Sequence, residues 1–241
     1  MQAQYEQDGG QDISATLNLA TTLVDEASRR YGEHGVLAQH SAILRYLGSR
    51  QQSLQGKDPT PAIDSALMAV RRCQGLSREV DATCTAIAAQ LYVQQAEWAH
   101  GQHVATAEWE GRAGTQALSA LRAAGGDNDV RLSVAEVFWR LARLRRAKGV
   151  DVTSAVRQGR DALAAVLGRA PDWPRALAIQ GGLSALWAAA TLNAEEQGRA
   201  RATAQEILLR AERGNGQMRK AYRDAYSDAG WGAAMAAASH R

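Results

Sequence analysis

The chain has 241 residues, 46% apolar and 22% charged, a composition that excludes disorder as its main state and leaves room for a buried core. Twenty-eight Lys and Arg against 25 Asp and Glu give a net charge of +3, too mild and too alternating in sign to imply a nucleic-acid partner. The first ten residues are polar and acidic where an export signal is basic and then apolar, and the most apolar run, Leu183 to Leu192, is half the roughly 20 residues that span a bilayer, so a soluble, cytoplasmic chain without membrane insertion is expected.

Apolar residues recur at helical spacing along nearly the whole chain, as at Leu17, Ala20, Val24, Ala27 and Tyr31, and alternating strand patterns are absent. In chain order the pattern predicts helices over 13–31, 36–55, 61–74, 80–100, 104–123, 129–147, 153–168, 174–193, 199–213 and 217–237. Pro59, Pro61, Pro171 and Pro174 fall between these segments or at their first residue, where proline opens a helix without breaking one. Gly125 and Gly126, before Asp127, offer a left-handed C-terminal cap, and an Asp or Asn behind them caps the next helix.

The same punctuation returns at a fixed period. Gly10-Gln11-Asp12-Ile13-Ser14, Gly56-Lys57-Asp58-Pro59-Thr60 and Gly149-Val150-Asp151-Val152-Thr153 share the pattern Gly-x-Asp-x-Ser/Thr, with glycines 46 and 93 positions apart. Tyr46, Tyr92, Trp139 and Trp187 follow one another at 46, 47 and 48 positions, and Gly56, Gly101, Gly149 and Gly198 trail them by 9 to 11. Two unrelated features repeating in phase imply a unit of two antiparallel helices, A and B, in which glycine ends A, an Asp or Ser/Thr oxygen caps B, and the aromatic lies within A. A single hairpin cannot bury its apolar stripe, so successive units stack.

One junction is more specific. Gly159-x3-Leu163-x7-Pro171, then Leu177 and Gly181, reproduces the small, large-apolar, proline, apolar, glycine order of the tetratricopeptide repeat. Here the chain resembles the tetratricopeptide family, whose 34-residue period it exceeds by about a dozen residues, lengthening each helix by about six residues or roughly 9 Å. The resemblance implies an all-α, right-handed α-α superhelix, a tetratricopeptide-like solenoid of about four extended hairpins. The whole of 1–241 is expected to be one such domain, with repeats near 36–80, 81–130, 131–175 and 176–220, a remnant of a preceding repeat over 1–35 and a C-terminal capping helix over 221–241. Long alanine-rich hairpins with Gly-x-Asp-Pro-x-Pro-Ala turns also resemble the repeat regions that follow the kinase domain in bacterial serine/threonine protein kinases. That likeness implies a sensory or docking region, with a covalently linked kinase domain as its partner.

Kinase chemistry itself has no residues here: no glycine-rich phosphate cover, no Val-Ala-Ile-Lys lysine, no His-Arg-Asp loop and no Asp-Phe-Gly site. His100 and His103, with Glu97 and Glu108, straddle a helix end where metal-ligand spacing is not held rigid, and read as solvated loop residues. Asp127-Asn128-Asp129 opens like a calcium loop, but Phe138 stands where the bidentate glutamate belongs, so a helix cap is the better reading. Cys73 and Cys84 form no disulfide framework or paired-cysteine zinc pattern; a redox pair across a hairpin is the alternative, but their helical apolar spacing favours two small core residues in a reducing compartment. No metal, cofactor or catalytic residue is assigned.

Trp139 and Trp187 lie on the repeat register and read as packing between hairpins, whereas Trp98 and Trp109 lie off it, beside the 101–112 connection, and suit a partner-facing surface. Arg50 and Arg143 occupy equivalent A-helix positions, with Arg145 and Arg146 adjacent and Gln94 and Gln95 close to the matching place between them. A helices line the concave face of helical-repeat proteins, so such a row would grip carboxylates or peptide backbone through fixed donors. The expected function is a non-enzymatic interaction scaffold for a protein or peptide, with Arg50, Gln94, Gln95, Trp98, Arg143 and Arg146 as partner-binding residues.

Overall fold

A computed structural model describes residues 12–32, 34–191 and 193–231. The expectations for Gly10, for residues 1–9 and for the far end of the capping helix lie outside the described residues.

Every regular element among the described residues is helical. In chain order they are α1 (Ser14–Tyr31), α2 (Gly35–Leu54), α3 (Thr60–Cys73), α4 (Arg78–Gly101), α5 (Ala107–Ala123), α6 (Asn128–Ala147), α7 (Thr153–Arg169), α8 (Pro174–Thr191), α9 (Ala194–Gly214), α10 (Met218–Ala221), α11 (Arg223–Tyr226) and a π turn (Ser227–Trp231). The chain divides into two compact units, the first ending at Val137 and the second beginning at Phe138, within α6.

The recurring turns have one geometry. Asp12 Oδ1 accepts from the Ser14 amide at 3.0 Å and its hydroxyl at 2.6 Å, Asp58 Oδ1 accepts from the Thr60 amide at 2.9 Å, and Asp151 Oδ1 accepts from the Thr153 amide at 3.0 Å and its hydroxyl at 2.6 Å. Each carboxylate thereby satisfies an amide at the opening of its helix that no intrahelical carbonyl can reach. Gly56 and Gly149 both take φ 70°, a conformation that costs a residue with Cβ. Asp127 likewise caps α6, accepting from Asp129 N at 2.8 Å and Val130 N at 3.1 Å.

These caps set a pH dependence. The hydrogen bonds hold Asp12, Asp58 and Asp151 below the ordinary aspartate value, the hydroxyl bond contributing most at Asp12 and Asp151 and the amide bond at Asp58. A carboxyl whose folded pKa is depressed contributes stability above its unfolded value, here 3.8, and loses it as pH falls through the folded value. The melting temperatures of wild type and of the Asp58→Ala/Asp151→Ala variant should therefore differ at pH 6 and converge as pH drops from about 4 toward 2. A gap that stays constant in thermal melts across that range would rule the caps out as its source.

Two glycines depart from the periodic reading. Gly101 is the last residue of α4, and the left-handed residue after it is His103, at φ 58°. Gly198 lies inside α9, which starts five residues before the expected boundary because Asn193 and Glu196 form a reciprocal capping box, Glu196 N donating to Asn193 Oδ1 at 3.0 Å.

In the first unit α2 packs against α1, α3 and α4, and α4 against α3 and α5. Leu17, Tyr46, Leu47, Ile63, Val70, Ile87 and Leu91 form the shared core. Ala113, Ala117 and Ala120 on α5 have no exposed surface and let that helix lie close to α4. Cys73 and Cys84, both fully buried, are joined by a disulfide with Cα atoms 6.4 Å apart. This corrects the expectation of two separate core thiols: the short α3–α4 connection turns the end of one helix onto the first turns of the next. The inference of a reducing compartment loses its basis with it.

In the second unit α8 packs against α7 and α9 and also against α10, α11 and the π turn. Of the residues that carry the tetratricopeptide resemblance, Gly159, Leu163, Leu177 and Gly181 lie where α7, α8 and α9 pack, and Pro171 stands exposed between α7 and α8. A Cβ on Gly159 would come within 2.9 Å of Leu183 Cδ1, and one on Gly181 within 2.6 Å of Leu208 Cγ, while Leu163 and Leu177 are buried. The helix expected over 217–237 is broken instead: Tyr222 leaves α geometry at φ −116°, ψ 34°, and Gly230 takes φ 98°. Met218, Tyr222, Ala225, Tyr226 and Ala229 keep helical spacing and stay buried across the break, so periodicity registers the stripe and not the interruption. No helix among the described residues is long and apolar enough to cross a membrane.

Candidate functional site

The four in-phase rings lie in α2, α4, α6 and α8 but differ in burial. Tyr46 and Trp139 are buried, while Tyr92 and Trp187 are half-buried, each beneath a guanidinium: Arg112 over Tyr92 at 5.8 Å and Arg160 over Trp187 at 5.4 Å. Reading Trp187 as packing core is therefore too strong. Trp109 stacks on Tyr92 with centroids 6.2 Å apart, and Arg112, ion-paired with Glu108 at 2.6 Å, covers it at 5.2 Å. This forms a half-exposed aromatic ledge on α4 and α5.

The expected partner-binding residues fall into two groups. In the first unit, Arg50 is half-buried and engaged near the end of α2. Gln94 is buried, accepting from Ser49 Oγ at 3.0 Å and donating to Ser53 Oγ at 2.8 Å, so both ends of its amide tie α4 to α2. Gln95 donates to Thr60 Oγ1 at 3.4 Å, and its Oε1 is buried without a hydrogen-bond partner among the described residues. Trp98 is half-buried on the same helix.

In the second unit Arg143 and Arg146 converge on the broken C-terminal segment. Arg143 Nη1 lies 2.6 Å from Asp224 Oδ2 and its Nε 3.1 Å from Asp228 Oδ2, while Arg146 Nη1 reaches Asp228 Oδ1 at 3.4 Å. Arg143 also lies over the Trp139 ring at 5.6 Å, and Tyr222 packs on the same indole with centroids 5.7 Å apart. The Tyr222 hydroxyl accepts from Arg175 Nε at 2.8 Å. The arginines expected to grip a partner's carboxylates are engaged instead with two carboxylates of this chain.

The rest of the segment is anchored by apolar burial. Tyr226 is fully buried and donates to the Leu208 carbonyl at 2.9 Å; burial, reinforced by Glu212, pushes its hydroxyl up to about 12. Asp228 titrates above the ordinary aspartate value because burial outweighs the attraction of Arg143 and Arg146, with Asp224 adding repulsion. Sequence reasoning missed Tyr222, Asp224, Tyr226 and Asp228. Their signal was the run Tyr-x-Asp-x-Tyr-x-Asp, in which both tyrosines and both aspartates recur four residues apart, placing each pair on one helical stripe.

Among the described residues no group of three or more His, Cys, Asp or Glu is placed to hold a metal ion. No family model, curated protein or solved structure matches the chain.

Proposed function

We propose that the chain is a non-enzymatic protein-interaction scaffold, a tetratricopeptide-like solenoid of about four extended hairpins that binds a helical or extended protein segment on its concave face. The observation that carries this reading is the seating of residues 222–228 on Trp139, Arg143 and Arg146, where a ring and fixed guanidinium donors receive a peptide's tyrosine and carboxylates. Close approach at Gly159 and Gly181 supports the repeat family, since these are the positions its motif reserves for small residues.

The reading is tested by capturing a partner on the immobilised chain, purifying it and measuring its affinity directly. Arg50→Ala and Arg143→Ala are expected to weaken binding at least tenfold while shifting the unfolding midpoint little, because partly exposed ion pairs such as Arg143–Asp224 contribute on the order of 1 kcal/mol or less. Equal loss of affinity and stability would make both residues structural and sink the reading. As to compartment, the Cys73–Cys84 disulfide favours an oxidising setting over the cytoplasm expected from the sequence.

A further inference from the structure

Residues 218–231 dock at a cost that an ordinary closing helix avoids. Their backbone is interrupted at Tyr222 and Gly230, giving two four-residue helices and a π turn in place of one continuous hydrogen-bond ladder. Docking also carries Asp228 to 17% side-chain exposure, where desolvation works against its charge. Against these costs stand the burial of Ala225, Tyr226 and Ala229 and the bonds from Tyr226 to Leu208 and from Gln205 to Ala229 O at 2.8 Å.

We propose that the face formed by Trp139, Arg143 and Arg146 is an interaction surface for a helical partner segment bearing a tyrosine and two aspartates one turn apart, and that residues 218–231 occupy it as an internal ligand that must leave before the partner binds. The proposal rests on the interaction-scaffold reading above. The partner's chemistry follows from the receptor. Trp139 and Arg175 together accept an aromatic ring with a hydroxyl, and the two faces of the Arg143 fork take carboxylates from successive turns. A basic segment would set like charges against Arg143 and Arg146 and is rejected. A tethered segment acts at an effective concentration on the order of millimolar. Free ligand competes with it because the docked form carries the broken backbone and the buried carboxylate, both of which a regular helix with a more exposed second aspartate would lessen.

The test uses the full chain and a labelled synthetic peptide of residues 217–231. Native-state hydrogen exchange is read first on the wild type. Amides of 222–229 are expected to exchange at least tenfold faster than those of α8; exchange at the α8 rate would make the segment a fixed cap and overturn the internal-ligand proposal, leaving the scaffold reading intact. Asp224→Asn with Asp228→Asn then loosens the segment within the chain. The peptide should bind this variant at least tenfold more tightly than wild type, and equal affinity for the two overturns the proposal. Adding Arg143→Glu, or Arg146→Glu should the former not fold, is expected to abolish peptide binding, and a peptide with lysine at both aspartate positions should restore it. Fast exchange of the segment with no peptide bound to the loosened chain would instead sink the scaffold reading at this face.

Discussion

Replacing Trp139 with alanine is expected to destabilise the protein by about 3–5 kcal/mol, the range for removing a buried large aromatic side chain. The ring is 5% exposed and lies among Tyr222, Arg143 and Gly182, whose missing Cβ would fall 2.5 Å from the indole Nε1. Truncation removes the floor on which the C-terminal segment rests and leaves a cavity that rigid α8 backbone cannot fill. For a chain of this length the loss corresponds to roughly 6–20 °C in melting temperature. Trp139 Nε1 has no acceptor among the described residues, so Trp139→Phe, which keeps a ring and removes the unpaired donor, should recover most of the loss. Chemical denaturation of the three proteins checks this, and a cost below about 1 kcal/mol for Trp139→Ala would show that the ring supports nothing.

The second large effect is expected at the disulfide. Cys73 and Cys84 are 11 residues apart, and in the chain-entropy account closing a loop of that size contributes about 2–3 kcal/mol by restricting the unfolded chain. Cys73→Ala with Cys84→Ala should lower stability by that amount. Both residues lack exposed surface, so a reductant reaches the bond only when the first unit opens. Dithiothreitol added briefly to native protein should leave the melt unchanged, whereas unfolding and refolding in its presence should bring it to that of the double variant. A double variant that melts with the wild type would remove the bond from the supports of the fold.

Much of the local architecture was legible because it is written in neighbouring residues. Asp58 and Thr60, or Asp151 and Thr153, are two positions apart and form their turns without help from elsewhere, and α3, α6 and α7 fall within a residue or two of the expected bounds. Features decided by packing were not legible. Cys73 and Cys84 each sit at an apolar position of a helix, and only the angle at which α3 meets α4 brings their sulfurs together. Gly198 kept the period yet lost its role, since a stronger local signal, Asn193 with Glu196, starts α9 first. Arg143 and Arg146 were found by register, but their occupants, Asp224 and Asp228, lie some 80 residues on and belong to a stripe whose helical spacing hides a broken backbone.

The stripe of Ala113, Ala117 and Ala120 has a kinetic consequence. Methyl side chains have no rotamers to freeze, so this stripe gives up no side-chain freedom of its own when α5 zips onto α4. The two helices are also sequence neighbours, which keeps loop closure cheap and places this piece among the first to assemble when the chain refolds.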